Sequence, residues 1–371
     1  MTIITANNDL LSAYTSNELV HEALRAYTQN AFRVPGGRVW AGKALADEPH
    51  IATWKKYLKE AEEEGVYACL RRHLVQFQFP IQAQISETIA YGQATRRGES
   101  TTSMKEATGL GLECAEGLEL FLYESIAGCI PVIVTAHRED FKSIVQALCN
   151  RNEPCSLPDS MGAVLVRGLN NWDRVRQVKQ VAALGQIAGD WRQQRELYQD
   201  SIIVLSRIPY SNVPAEALGL KEEDWLEKSL QIRLAHECAH YYTLRQFGSM
   251  SVNMHDELIA DYLGICSVCP TFTADWFLRF IGLENYPVCR PDGRLHNYLG
   301  TPSLSAPALG VLQTILFRAA HHVAIFDEQI GTRQDPQRLA RLNTLCRLNL
   351  LEMAAPNGVG RLLDDYHNSQ H

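Results

Sequence analysis

LAHECAHYYTLRQFG, residues 234–248, is the stretch on which the reading of this chain turns. His236 and His240 are four residues apart. On a helix that spacing stacks both imidazoles on one face, with their ring nitrogens able to converge on one ion. Glu237 stands one position round the helix, too far off that face to be a comfortable ligand but placed to act on a water beside the ion. The flanks support a helix: Glu222, Glu223 and Asp224 suit an N-terminal dipole, and Gly248 suits a left-handed stop. Residues 221–247 are therefore predicted as one long helix. Three fixed positions in five also arise by chance, and the bland alternative is a helix with a buried histidine pair. The neighbouring sequence has to decide.

It does so in MHDELIADYLG, residues 254–264, inside a second predicted helix over 252–266. Glu257 follows His240 by 17 positions, and Asp261 is one helical turn further. A two-histidine site needs a third ligand that leaves one position open, and a carboxylate on a neighbouring helix supplies it. Asp261 is then the natural partner for the far nitrogen of a ligand histidine. His255 competes with Glu257 as third ligand, but only Glu257 brings the following A-D with it.

HECAH followed by ELIAD resembles the glutamate-ligand zincins, the gluzincins, a clan that includes the thermolysin-like proteases. The resemblance implies an α+β, helix-rich fold with an active-site helix and an edge strand that receives the substrate backbone, here residues 201–205. It implies zinc held by His236, His240 and Glu257, Glu237 as general base and acid, and Asp261 behind a ligand histidine. A metal so bound lowers the pKa of its water to about 7. The implied function is a zinc metallopeptidase that cleaves a peptide or small amide bond. Tyr298 and His296 in RLHNYLG, and His321 and His322, are candidates for stabilising an oxyanion. The likeness covers about residues 200–266. The spacing from His240 to Glu257 is shorter than in thermolysin, and the G-A-M-E-N motif of the aminopeptidase branch is missing. Two histidines and one carboxylate are also the facial triad of non-haem Fe(II) oxygenases, so a peptide-tailoring enzyme using Fe2+ is the alternative. A zincin-like binding protein without activity is the other; the retained Glu237 speaks against it.

Around this core the chain divides into a helical N-terminal region (1–114), an α-β-α-β-α region (115–195) as a possible substrate lobe, and a metal-binding region (196–371). Helices are expected over 17–29, 51–78 (one or two), 118–128, 139–150 and 171–184. Strands are expected over 131–135, 162–166 and 200–206. Residues 34–42 read as a turn-rich break and 96–103 as a loop. The 371 residues are 46% apolar with a net charge of -7, and no dense Lys/Arg stripe marks a nucleic-acid partner. The N-terminus lacks the basic-then-apolar pattern of a secretory signal, and no run approaches the roughly 18 apolar residues of a membrane span. The ten scattered cysteines, Cys266, Cys269 and Cys289 among them, then read as reduced packing thiols of a cytoplasmic protein without membrane insertion. Tyr241 and Tyr242 read as helix packing. Nothing in the sequence sets an oligomeric state.

Overall fold

The computed structural model describes residues 10–32, 43–250, 253–331 and 335–369. The expected break at 34–42 lies outside them, as does Val252 at the start of the second predicted helix. The chain forms two compact units, one of residues 1–45 with 209–371 and the other of residues 46–208. The boundaries expected at 114/115 and 195/196 do not coincide with this division, because residues 199–206 belong with the sheet of the second unit. The fold is α+β and helix-rich with a small mixed sheet, as the sequence led us to expect.

Helix α1 (Glu18–Tyr27) belongs to the first unit. The second unit contains α2 (Ile51–Glu64), α3 (Val66–His73), α4 (Ile89–Arg97), α5 (Arg138–Cys149) and α6 (Trp172–Ala183). It also holds strands β1 (Glu119–Ser125), β2 (Gly128–Thr135), β3 (Ala163–Asn170) and β4 (Gln199–Ser206), in sheet order β1-β2-β4-β3. β2 is buried along its whole length and pairs parallel with β4, which explains its unbroken apolar run. Ile133, Ile202 and Val204 join Trp54, Leu70, Phe77, Phe141 and Ile144 in the core of this unit.

Two expectations are corrected here. Residues 118–128 are not helical: they form β1 and its turn into β2, with Ser125 opposite Gly128, whose φ of 85 suits a tight reversal. The region is thus β-β-α-β-α. β4 is not an edge strand either. It pairs with β2 on one side and antiparallel with β3 on the other, so its backbone groups are already used. Residues 201–205 cannot take up a substrate by strand addition.

In the first unit follow α7 (Glu222–Phe247), α8 (Met254–Val268), α9 (Ala274–Ile281), α10 (Ala306–Ile330), α11 (Asp335–Arg347), α12 (Leu350–Ala354) and α13 (Gly358–Asn368). Residues 235–243 of α7 and 254–265 of α8 are buried without a break. Helices covered on all sides normally carry apolar side chains all round. These two carry His236, Glu237, His240, His255, Asp256, Glu257 and Asp261, so their burial requires paired charges and hydrogen bonds. Among the described residues one helix, α10, is long and apolar enough to cross a membrane, with a mean hydropathy of 1.4 in its best window. One face of it is buried, and on that face Asp327 accepts from Tyr262 Oη (2.6 Å) and Phe272 N (2.9 Å).

Candidate metal centre

α7 stops as its sequence suggests, at Gly248 with φ 69. α8 starts on Asn253, whose side chain accepts from His255 N and Asp256 N. The two helices pack antiparallel, and their polar residues meet turn against turn. Going up α7, Ile232 meets Gly264, His236 meets Asp261, and His240 meets Glu257 and Asp256. An i,i+4 pair of histidines is thus matched by an i,i+4 pair of carboxylates. Gly264 permits the close approach. A Cβ there would lie 3.0 Å from both the carbonyl oxygen and the Cγ2 of Ile232.

The ligand-type atoms converge. His236 Nε2 and His240 Nε2 are 3.0 Å apart, His240 Nε2 is 3.5 Å from Glu257 Oε1, and His236 Nε2 is 3.7 Å from Glu257 Oε2. Donors at zinc distances of 2.0–2.1 Å on a tetrahedral ion are separated by ~3.3 Å, so the three sit close to that arrangement. Glu257 Oε2 is buried and has no hydrogen-bond partner. A buried carboxylate oxygen facing two imidazole nitrogens is what a divalent cation satisfies, and His236, His240 and Glu257 fit one.

His236 is held from behind, its Nδ1 lying 2.8 Å from Asp261 Oδ1. A carboxylate at Nδ1 keeps the proton there and leaves Nε2 as the donor to an ion. His240 Nδ1 faces Asp256 Oδ1 at 3.4 Å, an ion-pair distance at which neither atom makes a hydrogen bond. Burial alone would keep His240 neutral, but Asp256 and Glu257 outweigh it and hold its pKa well above the usual range. The site thus favours positive charge at this point, which a proton or a metal ion supplies. The two glutamates are driven apart. Burial raises Glu257, but His240, His236 and Arg294 overcome this and bring it down to about 2. Glu237 moves the other way, raised by burial that the histidines only partly offset. Two carboxyls in one cluster with opposite shifts are equipped for different roles.

A further layer was not legible in the sequence. Tyr210 Oη donates to Asp261 Oδ1 (2.6 Å) and lies 2.9 Å from His236 Nδ1. Arg294 Nη1 donates to Tyr210 Oη (2.8 Å), and Arg294 Nη2 is bonded to Asp261 Oδ2. Tyr27 Oη donates to the Tyr298 carbonyl (2.6 Å) and accepts from Met254 N (3.0 Å), tying α1 to the start of α8. Asp256 could have been noticed, because it adjoins Glu257 in the same helical turn. Tyr27, Tyr210 and Arg294 come from distant segments and carry no local signal.

Of the remaining sequence candidates, Tyr298 is half-buried, and burial and then Glu257 raise its phenol well above its ordinary value. His296 is exposed while the members of the cluster are buried. His255 is excluded as a ligand, since its Nε2 lies 3.0 Å from the Leu345 carbonyl. His321 and His322 face the carbonyls of Phe317 (2.8 Å) and Met353 (2.7 Å). Tyr241 and Tyr242 are fully buried, the latter donating to Asn343 Oδ1 (2.8 Å). No disulfide joins any of the ten cysteines.

Residues 9–357 match the model of a family of unknown function, DUF7005. No curated protein and no solved structure matches the chain. The family match spans nearly the whole sequence, and the chain belongs to that family.

Proposed function

We propose that this family member is a metal-dependent hydrolase of the cytoplasm, with zinc held by His236, His240 and Glu257, cleaving a peptide or small amide bond. The observation that carries this is the convergence of three ligand-type atoms from facing turns of α7 and α8 on the buried, unsatisfied Glu257 Oε2. Two nitrogens and one oxygen leave a tetrahedral ion one open position, the composition of catalytic zinc sites. When bound, the ion supplies Lewis acidity and brings the pKa of water to about 7.

The chain's own residues supply the rest. Glu237 has its proton affinity raised by burial, so its carboxylate accepts a proton from the attacking water and returns it to the leaving nitrogen. Tyr298 stays protonated beside Glu257 and serves as the donor toward a developing oxyanion. Asp261, Tyr210 and Arg294 orient His236, and Asp256 faces His240 as a counter-charge. Support for an amide substrate comes from the resemblance of HECAH and ELIAD to the gluzincins, not from β4.

Two measurements on the full chain test this. Elemental analysis of protein purified without added metal is expected to show at least about one equivalent of zinc, of which about one is lost in His236→Ala, as a three-ligand site of this kind holds. Glu237→Gln is expected to keep that metal and to lose turnover of fluorogenic peptide and amide substrates by roughly 10²–10⁴-fold. Iron with oxygen consumption would replace the hydrolase by a facial-triad oxygenase. Undiminished turnover in Glu237→Gln, or loss of no metal in His236→Ala, would overturn the proposal.

A further inference from the structure

Two other groups of metal-type side chains come together in the unit of residues 46–208. In the first, Glu60, Cys69 and His73, the imidazole is fully engaged. Its Nε2 lies 2.6 Å from Glu60 Oε2 and its Nδ1 2.7 Å from Asp173 Oδ2, so neither nitrogen is left for an ion. The second group is Cys114, His137 and Asp140, and its ring is not so engaged.

Asp140 is fully buried in the first turn of α5. Its two oxygens accept from Glu113 N (2.7 Å) and Cys114 N (2.9 Å), which pins the segment 113–114 against the start of that helix. The thiol of Cys114, a nitrogen of His137 and an oxygen of Asp140 lie within 4.8 Å of one another. His137 Nδ1 is 3.3 Å from Asp140 Oδ1, close enough for an ion pair, yet this buried nitrogen makes no hydrogen bond. The other ring nitrogen, Nε2, faces Glu113 Oε2 at 3.5 Å. A buried ring nitrogen beside a carboxylate, correctly spaced but wrongly directed for a hydrogen bond, is an unfinished contact. The spacing of 3.3 Å equals the ~3.3 Å between nitrogen and oxygen ligands on one tetrahedral zinc-like ion.

We propose that Cys114 Sγ, His137 Nδ1 and Asp140 Oδ1 form a second site, for a zinc-like divalent transition metal with a sulfur ligand. Glu113 takes the Nε2–H of His137, the carboxylate–histidine–metal arrangement that fixes a ligand ring. Each carboxylate oxygen of Asp140 has two lone pairs, so Oδ1 can serve Glu113 N and an ion together. Binding releases the thiol proton to solvent, and the thiolate and Asp140 then balance the two charges of the ion. The carboxylates of Asp140, Glu116 and Glu113 surround the thiol with negative charge, which a cation offsets. The N-terminus of α5 opposes a cation with about half a charge, which three carboxylates outweigh. The ion would clip the 113–114 segment to α5.

Cobalt(II) titration of the full chain under a non-thiol reductant tests this separately from the first centre, whose ligands include no sulfur. The expected result is a thiolate-to-cobalt charge-transfer band that is complete by about two equivalents, one for each centre, and is displaced by zinc, as a preformed site requires. It should vanish in Cys114→Ser and weaken at least ~10-fold in affinity in His137→Ala, the size of effect seen when metal-site partners are lost. Cys114 and His137 are both partly exposed, so neither substitution should prevent folding, and circular dichroism checks that. Absence of the band in the wild-type chain, or its persistence in both variants through another cysteine, would overturn the proposal.

Discussion

Asp261→Ala strips the candidate centre of the one group that serves three donors at once. The wild-type carboxylate is fully buried and accepts from His236 Nδ1 (2.8 Å), Tyr210 Oη (2.6 Å) and Arg294 Nη2. Alanine strands the Arg294 guanidinium, which is only 9% exposed, with Glu257 Oε2 at 3.7 Å as its nearest remaining counter-charge. Breaking a buried ion pair from one side costs ~3–5 kcal/mol. The Glu257 carboxylate softens this, so we expect a loss near the lower bound, ~3 kcal/mol. Removing the stranded charge as well should recover much of it. Asp261→Ala/Arg294→Met is therefore expected to be less destabilised than the sum of the single variants, with a coupling of ~2 kcal/mol. A second effect is independent of stability. Without Asp261 the ring of His236 loses its fixed proton and orientation, and metal affinity should fall ~10–100-fold. Because a chain of two compact units need not unfold in one step, the measurement should be local: hydrogen exchange of α7 and α8 amides in chelator, then with zinc. A loss below ~1 kcal/mol in Asp261→Ala, or additivity within ~0.5 kcal/mol, would refute the idea that a stranded Arg294 dominates the cost.

Two further expectations concern other parts of the molecule. Burial opposes a charge on His73, but Asp173 and Glu60 prevail and raise its pKa above 6.5, while hydrogen bonding to His73 lowers both Asp173 and Glu60. The histidine's contribution is then complete below pH 6.5 and is lost as pH rises through its raised folded value; the carboxylates contribute above their ordinary values of 3.8 and 4.5 and lose this as pH falls. The stability gap between wild type and His73→Gln should accordingly be widest between about pH 4.5 and 6.5 and narrow on both sides, as urea denaturation across pH would show; an equal gap at about pH 5.5 and 9.5 would contradict the triad. Gly264→Val should push α8 off Ile232, cost ~1–3 kcal/mol by overpacking, and weaken zinc binding in isothermal titration because Glu257 rides on the same helix. Wild-type affinity in that variant would mean that the helix spacing does not set the ligand geometry.

How much of this the sequence disclosed depends on where the deciding contacts lie. β2 was legible because a strand buried on both faces writes an uninterrupted apolar run, and Gly248 because a left-handed helix stop favours glycine. β1 was misread because its intermediate burial gives no clean alternation, and only pairing with β2 makes it a strand. The centrality of β4 depends on β3 closing its far side, which no local pattern states. In the candidate centre, His236 with His240 and Glu257 with Asp261 were legible because both pairs repeat at the helical i,i+4 interval. What the spacing did not say is that the pairs face one another in antiparallel register, nor that Arg294 and Tyr210 bind the shared carboxylate. Periodicity could not have supplied this, since residues 235–243 of α7 and 254–265 of α8 are buried all round and neither stretch has a clear apolar face. The polar residues that would ordinarily mark a solvated side are the ones packed deepest. Their burial is tolerable only if each charge meets its opposite. That condition holds the two helices in register through His236–Asp261 and His240–Asp256, and the same register aims both Nε2 atoms at Glu257. The geometry that solves the folding problem of α7 and α8 is therefore the geometry that offers an ion three ligands.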